Sequence, residues 1–496
     1  MHLLRGCRVN GQFSPIDNDK RGLWFELVVD ATRELARDAD SLAALVTVTA
    51  QRSEHGAAMA SSTAEVIIMD RSLSMHRHGK LEEAKRAVAA AIEALSPSTV
   101  FAVIAGHHAA EPVYPADGTL RRATAEAKRA ARNQVANIDA VGGTAMSTWL
   151  TLADQLAGQA PDAVRHAVLF TDGINEHETS KQLDDALGAC RDHFVCDVRG
   201  IGVDWNPAEL RRIAGALQGE VEAIIEIADL RDDFTRLMAH AQTLVVPRAY
   251  LRLKLDPHFR LESVRQIRPA ENDLTSHRIP ADGGVTDIPL LAWGEESRDY
   301  LVKLRVEPGT PTADELCAAR IDVVAESQPG RPPAPCAKRA ALAVRWLKHR
   351  ERPPVNPGVT EAVDATRLSA ATQAGLAAYA RGDLATAVRE FGAAVHIARS
   401  LGATMHLARL RRVVTIDEFD HVQLRSQISP EDLRIVDTGS VNHRPGPPLP
   451  AAPPAAGRAA PRRCPYGHQT MTPDARYCEE LDCDYEFDDG PASRRG

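Results

Sequence analysis

The stretch VIIMDRSLSMHRHG, residues 66–79, decides the fold of the first large region of this chain. Its first four residues are apolar without alternation, which is typical of a strand that is buried on both faces. Asp70 ends the apolar run, and Ser72 and Ser74 follow at alternate positions. A buried strand that runs into oxygen-bearing side chains predicts a metal-binding loop at the carboxyl edge of a sheet.

The composition limits the classes of protein to consider. With 496 residues, of which 44% are hydrophobic and 25% charged, the chain is expected to form several folded domains. A formal net charge of −8 argues against a general nucleic-acid-binding protein. No segment approaches the roughly 20 apolar residues of a membrane helix. The eight cysteines are scattered, so we expect a soluble protein of the reducing cytoplasm, without a membrane partner.

Strand-like and helix-like segments alternate from residue 64 to about residue 245. The segments AEVIIMD, TVFAVIAG, RHAVLFTDG and VCDVRGIGV have the composition of buried strands. Between and after them lie helical patterns such as KLEEAKRAVAAAIEAL and SKQLDDALGACRDH. This alternation predicts a doubly wound α/β domain, with a parallel sheet covered by helices on both faces.

The regions on either side of this domain have a different pattern. Residues 23–50 contain two strand-like stretches, and residues 246–346 contain short alternating runs broken by Gly, Pro and Asp. The second region predicts an antiparallel β-sandwich. Because a few strands cannot form a core alone, residues 1–63 are expected to pair with residues 246–346. The α/β domain, residues 64–245, would then be inserted into one β-sandwich.

The C-terminal third predicts three smaller parts. Residues 347–430 have helical patterns with a break at Gly382–Asp383, which predicts a small helical bundle with a tetratricopeptide-like hairpin. Residues 431–462 are predicted to be a Pro/Ala-rich linker. Residues 463–488 follow as a separate module.

This last module contains a possible zinc site, with ligands Cys464, His468, Cys478 and Cys483. The spacing Cys-x3-His followed by Cys-x4-Cys suits tetrahedral Zn²⁺ and resembles a zinc-ribbon knuckle, although strict ribbons have two residues within each pair. Four protein ligands would leave no open position, so the zinc would be structural and would stabilise the module. The alternative is a tail with three unrelated thiols.

Two later motifs complete the oxygen-rich site of the opening stretch. VGGTAM places Thr144 before a helix, and AVLFTDG places Asp172 at the end of a buried strand, followed by Gly173. With the three residues of the opening stretch, the set comprises two carboxylates and three hydroxyls. Such a set favours a hard cation, Mg²⁺ or Mn²⁺, over zinc. Alternatively, Ser72 and Ser74 cap the following helix and Asp172 lies in an ordinary turn.

The ordered elements Asp-x-Ser-x-Ser, Thr and Asp resemble the von Willebrand factor type A domain, which has a Rossmann-like fold. The resemblance covers roughly residues 64–245. It implies a metal-ion-dependent adhesion site in which Mg²⁺ or Mn²⁺ is held by Asp70, Ser72, Ser74, Thr144 and Asp172. It also implies that an Asp or Glu of a protein partner completes the coordination. One position departs from the family pattern, because Leu73 stands where glycine is usual between the two serines.

These features predict a metal-dependent scaffold for protein–protein interaction rather than an enzyme. The sequence contains no recognisable nucleophile–base pair or phosphate-binding loop. The domain order also resembles that of bacterial multidomain proteins, which implies a role in a signalling or conflict-related complex. The alternative is a metal-assisted hydrolase that uses Asp70 and Asp172. His76 and His78 are the nearest candidates for its base, but we expect them to be exposed rim residues.

Overall fold

The computed structural model describes residues 23–443, apart from residues 37, 53–61, 226–228, 282, 309–314, 327–331, 348–352 and 418–420. All of these residues belong to one compact unit. The predicted zinc module, with Cys464, His468, Cys478 and Cys483, lies outside the described residues, as does most of the predicted linker.

The first described strands are β1 (Leu23–Ala31), β2 (Glu34–Leu35) and β3 (Ser41–Arg52). In both long strands, buried residues alternate with more exposed ones. This period of two is the pattern of a strand that packs one face on a core. The chain then enters the α/β domain.

The α/β domain contains the strands β4 (Thr63–Asp70), β5 (Val100–Gly106), β6 (Ala110–Tyr114), β7 (Arg121–Arg122), β8 (Val164–Thr171), β9 (Val195–Ile201) and β10 (Val221–Ile224). Its helices are α1 (Lys80–Ala94), α2 (Ala125–Ala136), α3 (Met146–Ala157), α4 (Ser180–Cys190), α5 (Pro207–Ala216) and α6 (Leu230–Ala241). The strand order is β10-β9-β8-β4-β5-β6, with β7 also paired to β5. Neighbours from β10 to β5 are parallel, and β6 and β7 are antiparallel to β5.

This topology determines where a ligand can bind. The chain passes from β4 to β5 on one side and later returns to β8 on the other side of β4. The strand order therefore reverses between β4 and β8, and the carboxyl ends of these strands form the crevice where such sheets bind ligands. One hydrophobic core joins the sheet to α1, α2 and α6, and another joins it to α3, α4 and α5. The predicted doubly wound α/β domain is confirmed.

The second β-rich region contains the strands β11 (Val246–Leu255), β12 (Phe259–Arg268), β13 (Asn272–Asp273), β14 (Ile279–Ala281), β15 (Val285–Trp293), β16 (Glu296–Val306), β17 (Leu316–Ala325), β18 (Ala334–Pro335) and β19 (Ala340–Trp346). One sheet has the order β1-β3-β16-β12-β13. The other has the order β14-β15-β11-β17-β19-β2, with β18 paired to β17. Strand β3 pairs antiparallel with β16, and β2 pairs parallel with β19. Residues of both sheets share one core, so the strands before the α/β domain pack with those after it.

The last described region is mainly helical, with α7 (Pro357–Ala380), α8 (Leu384–Ser400), α9 (Thr404–Leu410), β20 (Val414–Ile416), β21 (Val422–Leu424) and α10 (Pro430–Gly439). The chain turns between α7 and α8 at Gly382, whose φ of +78° favours glycine. Strands β20 and β21 form an antiparallel hairpin inside the region predicted as a helical bundle. Among the described residues, no helix has the length and apolar character needed to cross a membrane.

The predicted start of the linker at residue 431 is wrong, because α10 occupies residues 430–439. The helix has the usual start signals: the Ser429 hydroxyl accepts a hydrogen bond from the Asp432 backbone N–H at 3.1 Å, and Pro430 is in the first turn. Asn442 then forms a β-bridge with Ala270. The Pro/Ala-rich composition begins only after these residues, so composition alone placed the boundary too early.

Candidate metal-binding site

Three loops at the carboxyl edge of the sheet bring the five predicted ligands together. Asp70 is the last residue of β4, and a 3-10 segment, Leu73–Gly79, follows it. Thr144 lies two residues before α3 begins. Asp172 directly follows β8. The loops therefore start from the two adjacent strands at the reversal of strand order and from the entry to one helix.

Direct hydrogen bonds connect four of these residues. The Ser72 backbone N–H donates to Asp70 Oδ1 at 2.7 Å, and the Ser72 and Ser74 hydroxyl oxygens are 2.9 Å apart. The Ser74 hydroxyl donates to Asp172 Oδ1, also at 2.7 Å. The opening loop and the loop after β8 are thus joined through side chains that carry only oxygen atoms.

Thr144 completes the set at a point beside Gly173. A Cβ atom placed on Gly173 would be 2.8 Å from Thr144 Oγ1, 3.3 Å from Asp70 Oδ2 and 3.5 Å from Ser72 Oγ. Oxygen atoms from two separate loops therefore surround one position that the absence of a side chain on Gly173 leaves open. Hydroxyl and carboxylate oxygens in this arrangement fit a small hard cation such as Mg²⁺ or Mn²⁺.

Helix capping does not explain the two serines. Ser72 precedes the 3-10 segment, but its side chain makes no capping hydrogen bond. Helix α1 begins after Gly79, which has a φ of +72°, again without a side-chain cap. The Ser72 and Ser74 hydroxyls point instead to each other and to Asp172. This excludes the alternative in which both serines act as caps.

The two carboxylates are fully buried, but only one of them has a cationic partner. Burial raises the pKa of Asp70 to about 6, although hydrogen bonds from Thr171 and Ser72 oppose the shift. No Lys, Arg or His in the described part of the chain forms an ion pair with Asp70. A buried carboxylate without a counter-charge is costly, so this side of the site favours a cation.

Lys80 is a residue of the site that the sequence analysis missed. Its Nζ atom is 2.8 Å from Asp172 Oδ2 and 3.1 Å from Asp204 Oδ2. Burial alone would lower the pKa of Lys80, but the contacts with Asp172 and Asp204 outweigh it and raise the pKa. A signal was present, since a lysine in the first turn of a helix opposes the helix dipole and therefore suggests an acidic partner.

A second layer of contacts holds the Thr144 loop against the loop after β8. The Asn175 side-chain oxygen accepts from the Met146 backbone N–H at 3.2 Å, and Glu178 Oε2 accepts from the Ser147 backbone N–H at 3.0 Å. These contacts satisfy the first free N–H groups of α3. The Thr144 carbonyl also accepts from the His177 backbone N–H at 3.0 Å. The Thr144 loop and the Asp172 loop are thereby held as one structure.

The rim of the site carries exposed apolar side chains, and one of them is Leu73, which stands where the family usually has glycine. Leu73 is 62% exposed, Val141 41% and Ile174 49%. Each lies within three residues of a predicted ligand. His76 and His78 are also exposed and form no part of the oxygen cluster. Three exposed apolar side chains therefore lie beside the polar centre.

Clusters of three or more His, Cys, Asp and Glu side chains that could hold a metal are absent from the described residues. The site described above differs from such clusters in composition, because three of its five oxygen donors are hydroxyl groups.

Comparison with known proteins identifies the family. The family model described as von Willebrand factor type A domain matches residues 64–223. A solved structure, the von Willebrand factor type A protein from Catenulispora acidiphila, shares 34% sequence identity and has a TM-score of 0.80. The match covers 86% of this chain and 98% of that chain. The chain therefore belongs to the von Willebrand factor type A family, as its motifs predicted.

Two more distant structures also match. The ArnB paralog VWA2 from Sulfolobus acidocaldarius is 12% identical, with a TM-score of 0.53, over 85% of this chain and 99% of that chain. This likeness shows a shared fold. Proximal thread matrix protein 1 from the mussel byssus, whose structure has a zinc-occupied adhesion-site motif, is 17% identical over 37% of this chain and 46% of that chain. Its TM-score of 0.31 supports no conclusion about this chain. The curated proteins give no match.

Proposed function

We propose that this protein binds a protein partner through a divalent cation, Mg²⁺ or Mn²⁺, and that it does not act as an enzyme. Domains of this family mediate protein–protein interactions. One observation carries the metal-dependent proposal: oxygen atoms of Thr144, Asp70 and Ser72 surround the open position beside Gly173. Ser74 and Asp172 are hydrogen-bonded to this group and belong to the same ligand set.

The charges of the site suit an acidic partner. Asp70 and Asp172 carry the negative charge, and Lys80 already compensates part of it through Asp172. The remaining donors are neutral hydroxyls. A bound divalent cation would be balanced by the two carboxylates, and its open coordination position would be available to an incoming carboxylate. We therefore propose that an Asp or Glu of the partner is the group that binds there.

The rim of the metal site indicates which side chains flank the acidic residue of the partner. Leu73, Val141 and Ile174 expose apolar surface on the three loops of the site. Burial of apolar surface contributes roughly 25 cal/mol per Å². A partner whose Asp or Glu is flanked by apolar side chains would thus gain from both the metal and the rim. Such an interaction would suit a bacterial signalling or conflict-related complex in the cytoplasm, which is the context that we propose.

The experiment has two stages. The full chain is first used to capture partners from native lysate in Mg²⁺ and in EDTA, and the affinity of a purified partner is then measured by calorimetry. Asp70→Ala and Thr144→Ala should abolish binding while the circular dichroism spectrum is unchanged. The matched controls, Asp232→Ala and Thr151→Ala, change exposed residues outside the site and should bind normally.

Replacing the acidic residue of the partner should cost as much affinity as chelating the metal, because the two groups form one bond. A complex that persists in EDTA would contradict the proposal. Metal-dependent turnover of a phosphoester or peptide, without a stable complex, would favour the hydrolase alternative.

A further inference from the structure

A second candidate site lies far from the metal site, in a cleft where the α/β domain meets the sheet that contains β11 and β15. The cleft has a volume of about 490 Å³ and is lined by residues of both parts of the chain. This volume is within the range of small-molecule sites. Arg165, at the amino end of β8, lines the cleft, whereas Asp172 follows the opposite end of the same strand.

The Arg165 guanidinium is half-buried and forms no ion pair with another described residue. Its Nε atom is buried and has no hydrogen-bond partner. Its two terminal nitrogens donate to the carbonyl oxygens of His193 and Pro161, both at 3.4 Å, and to no other described residue. No carboxylate in the described part of the chain lies within ion-pair distance of it. A half-buried guanidinium with long, weak contacts has donors available for an anion.

A second guanidinium, that of Arg248, lines the same cleft. Burial is the main cause of the lowered pKa of Arg165, and repulsion from Arg248 adds to it. Arg248 has one acidic neighbour, Glu326, at 3.5 Å. Glu326 also accepts a hydrogen bond from the Tyr250 hydroxyl at 2.7 Å. Two guanidinium groups therefore line one cavity, and the carboxylate that pairs with Arg248 is shared with Tyr250.

The other acidic residues of the cleft are engaged elsewhere. Asp154 Oδ1 is 2.9 Å from His193 Nδ1. Asp192 Oδ1 is 2.7 Å from His277 Nδ1 and accepts from Gln218 at 3.1 Å. Both carboxylates are therefore already hydrogen-bonded to neighbours other than Arg165.

The backbone of the cleft also departs from regular geometry. Leu291 has a φ of +54°, which is rare for a residue with a branched side chain, and the pairing of β11 with β15 shifts register at Ala249. Such local strain is concentrated at ligand sites. Pro289 and Leu291 give one wall of the cleft an apolar surface, and Ile279 adds to it with 46% of its surface exposed.

We propose that this cleft binds a small organic anion with an oxyanion group, either a carboxylate or a phosphate monoester. Arg165 and Arg248 would hold the oxyanion, because planar guanidinium groups match its geometry. The apolar wall of Ile279, Pro289 and Leu291 would contact the body of the molecule. This proposal is independent of the metal site and of its protein partner.

Calorimetry on the full chain tests the proposal with three probes: inorganic phosphate, phenyl phosphate and benzoate. At least one aromatic probe should bind with a stoichiometry near one and more tightly than inorganic phosphate, which lacks an apolar body. Tighter binding of phenyl phosphate would assign a phosphate ligand, and tighter binding of benzoate a carboxylate. If none of the probes gives saturable binding, the proposal is wrong.

Variants show whether the arginines hold the probe. Arg165→Gln and Arg248→Gln should each weaken binding about tenfold or more, because each removes charge-assisted hydrogen bonds. Arg165→Lys keeps the charge but loses the planar fork, so its affinity should be intermediate. Arg129→Gln on α2 is the control for net charge, and Asp70→Ala is the control for the metal site; neither should change binding. Equal affinity in the wild type and in Arg248→Gln would overturn the assignment even if Arg165→Gln failed to fold.

Discussion

Both ends of the α/β sheet bury charged side chains. These charges are paired with one another at the amino end, but only partly paired at the carboxyl end. Strand β4 carries Glu65 near its amino end and Asp70 at its carboxyl end. Strand β8 carries His166 near its amino end and Thr171 at its carboxyl end. The neighbouring strands β4 and β8 thus carry one polar cluster at their amino ends and another at their carboxyl ends.

At the amino end, the charges are paired with one another. His166 Nδ1 is 2.8 Å from Glu65 Oε1, and its Nε2 is 3.1 Å from Asp197 Oδ2. Burial alone would lower the pKa of His166, but the two carboxylates raise it to about 10. The imidazolium therefore donates from both nitrogens, and the cluster needs no external ligand.

At the carboxyl end, the pairing is incomplete. Asp172 has Lys80, whereas Asp70 has only hydrogen bonds from neutral groups among the described residues. Burial of carboxylates is common to both ends, so burial alone does not identify a binding site. The distinguishing feature is a buried charge without an internal partner, next to exposed apolar surface.

The largest expected effect on stability comes from the loss of the His166 cation. His166→Ala removes the cation that lies between Glu65 and Asp197, which should lower the free energy of unfolding by about 3–5 kcal/mol. Chemical denaturation followed by fluorescence of the buried Trp149 and Trp205 measures the change. Metal binding by the folded variant should be unaffected. A loss below about 1 kcal/mol would show that the cluster is not a closed structural unit.

The pH dependence of stability should identify the same cation. The folded pKa of His166 is raised to about 10, above the ordinary value of about 6.5. Its stabilisation is therefore complete below about pH 6.5 and is lost as the pH rises towards 10, by up to about 1.4 kcal/mol per pH unit. The wild type should lose stability across this range, and His166→Gln should lack this decline. Parallel curves for the two proteins would contradict the assignment.

Removing the charge of Asp70 at the carboxyl end of the sheet should stabilise the protein, in contrast to the loss of His166. Asp70→Asn keeps a side-chain oxygen but removes an unpaired buried charge, so in EDTA at pH 7 it should stabilise the protein by about 1–3 kcal/mol. In saturating Mg²⁺ the wild type should be the more stable, because only its folded state binds the ion well. Thermal melts of both proteins under both conditions give the four values. Destabilisation in EDTA would mean that Asp70 is a structural group like Glu65.

The smallest effect should come from the rim. Leu73→Ser removes apolar contact with the partner but leaves all five oxygen donors, so partner affinity should fall by about 1 kcal/mol and metal affinity should not change. Leu384→Ser is the matched control, because Leu384 is also exposed but lies in the helical region. Unchanged partner affinity in Leu73→Ser would show that this part of the rim does not belong to the interaction surface.

Most of the metal site can be predicted from local sequence patterns, whereas Lys80 and the cleft cannot. Asp70, Ser72 and Asp172 were predictable because parallel strands bring their carboxyl ends to one edge, so local patterns suffice. Lys80 was missed because a lysine in a helix usually lies at the surface. The cleft depends on Arg165 and Arg248, which belong to different sheets. Only the tertiary packing brings them together, and no local motif marks either residue.

The proposed function depends on the binding of a hard divalent cation by the five oxygen-bearing residues. A titration of the full chain with Mn²⁺, followed by electron paramagnetic resonance of the free ion, measures this binding. The wild type should bind one Mn²⁺ that Mg²⁺ displaces, and Asp70→Ala and Thr144→Ala should lose it, whereas Asp232→Ala should retain it. Mn²⁺ binding of equal stoichiometry and affinity in the wild type and in both site variants would contradict the proposed metal site.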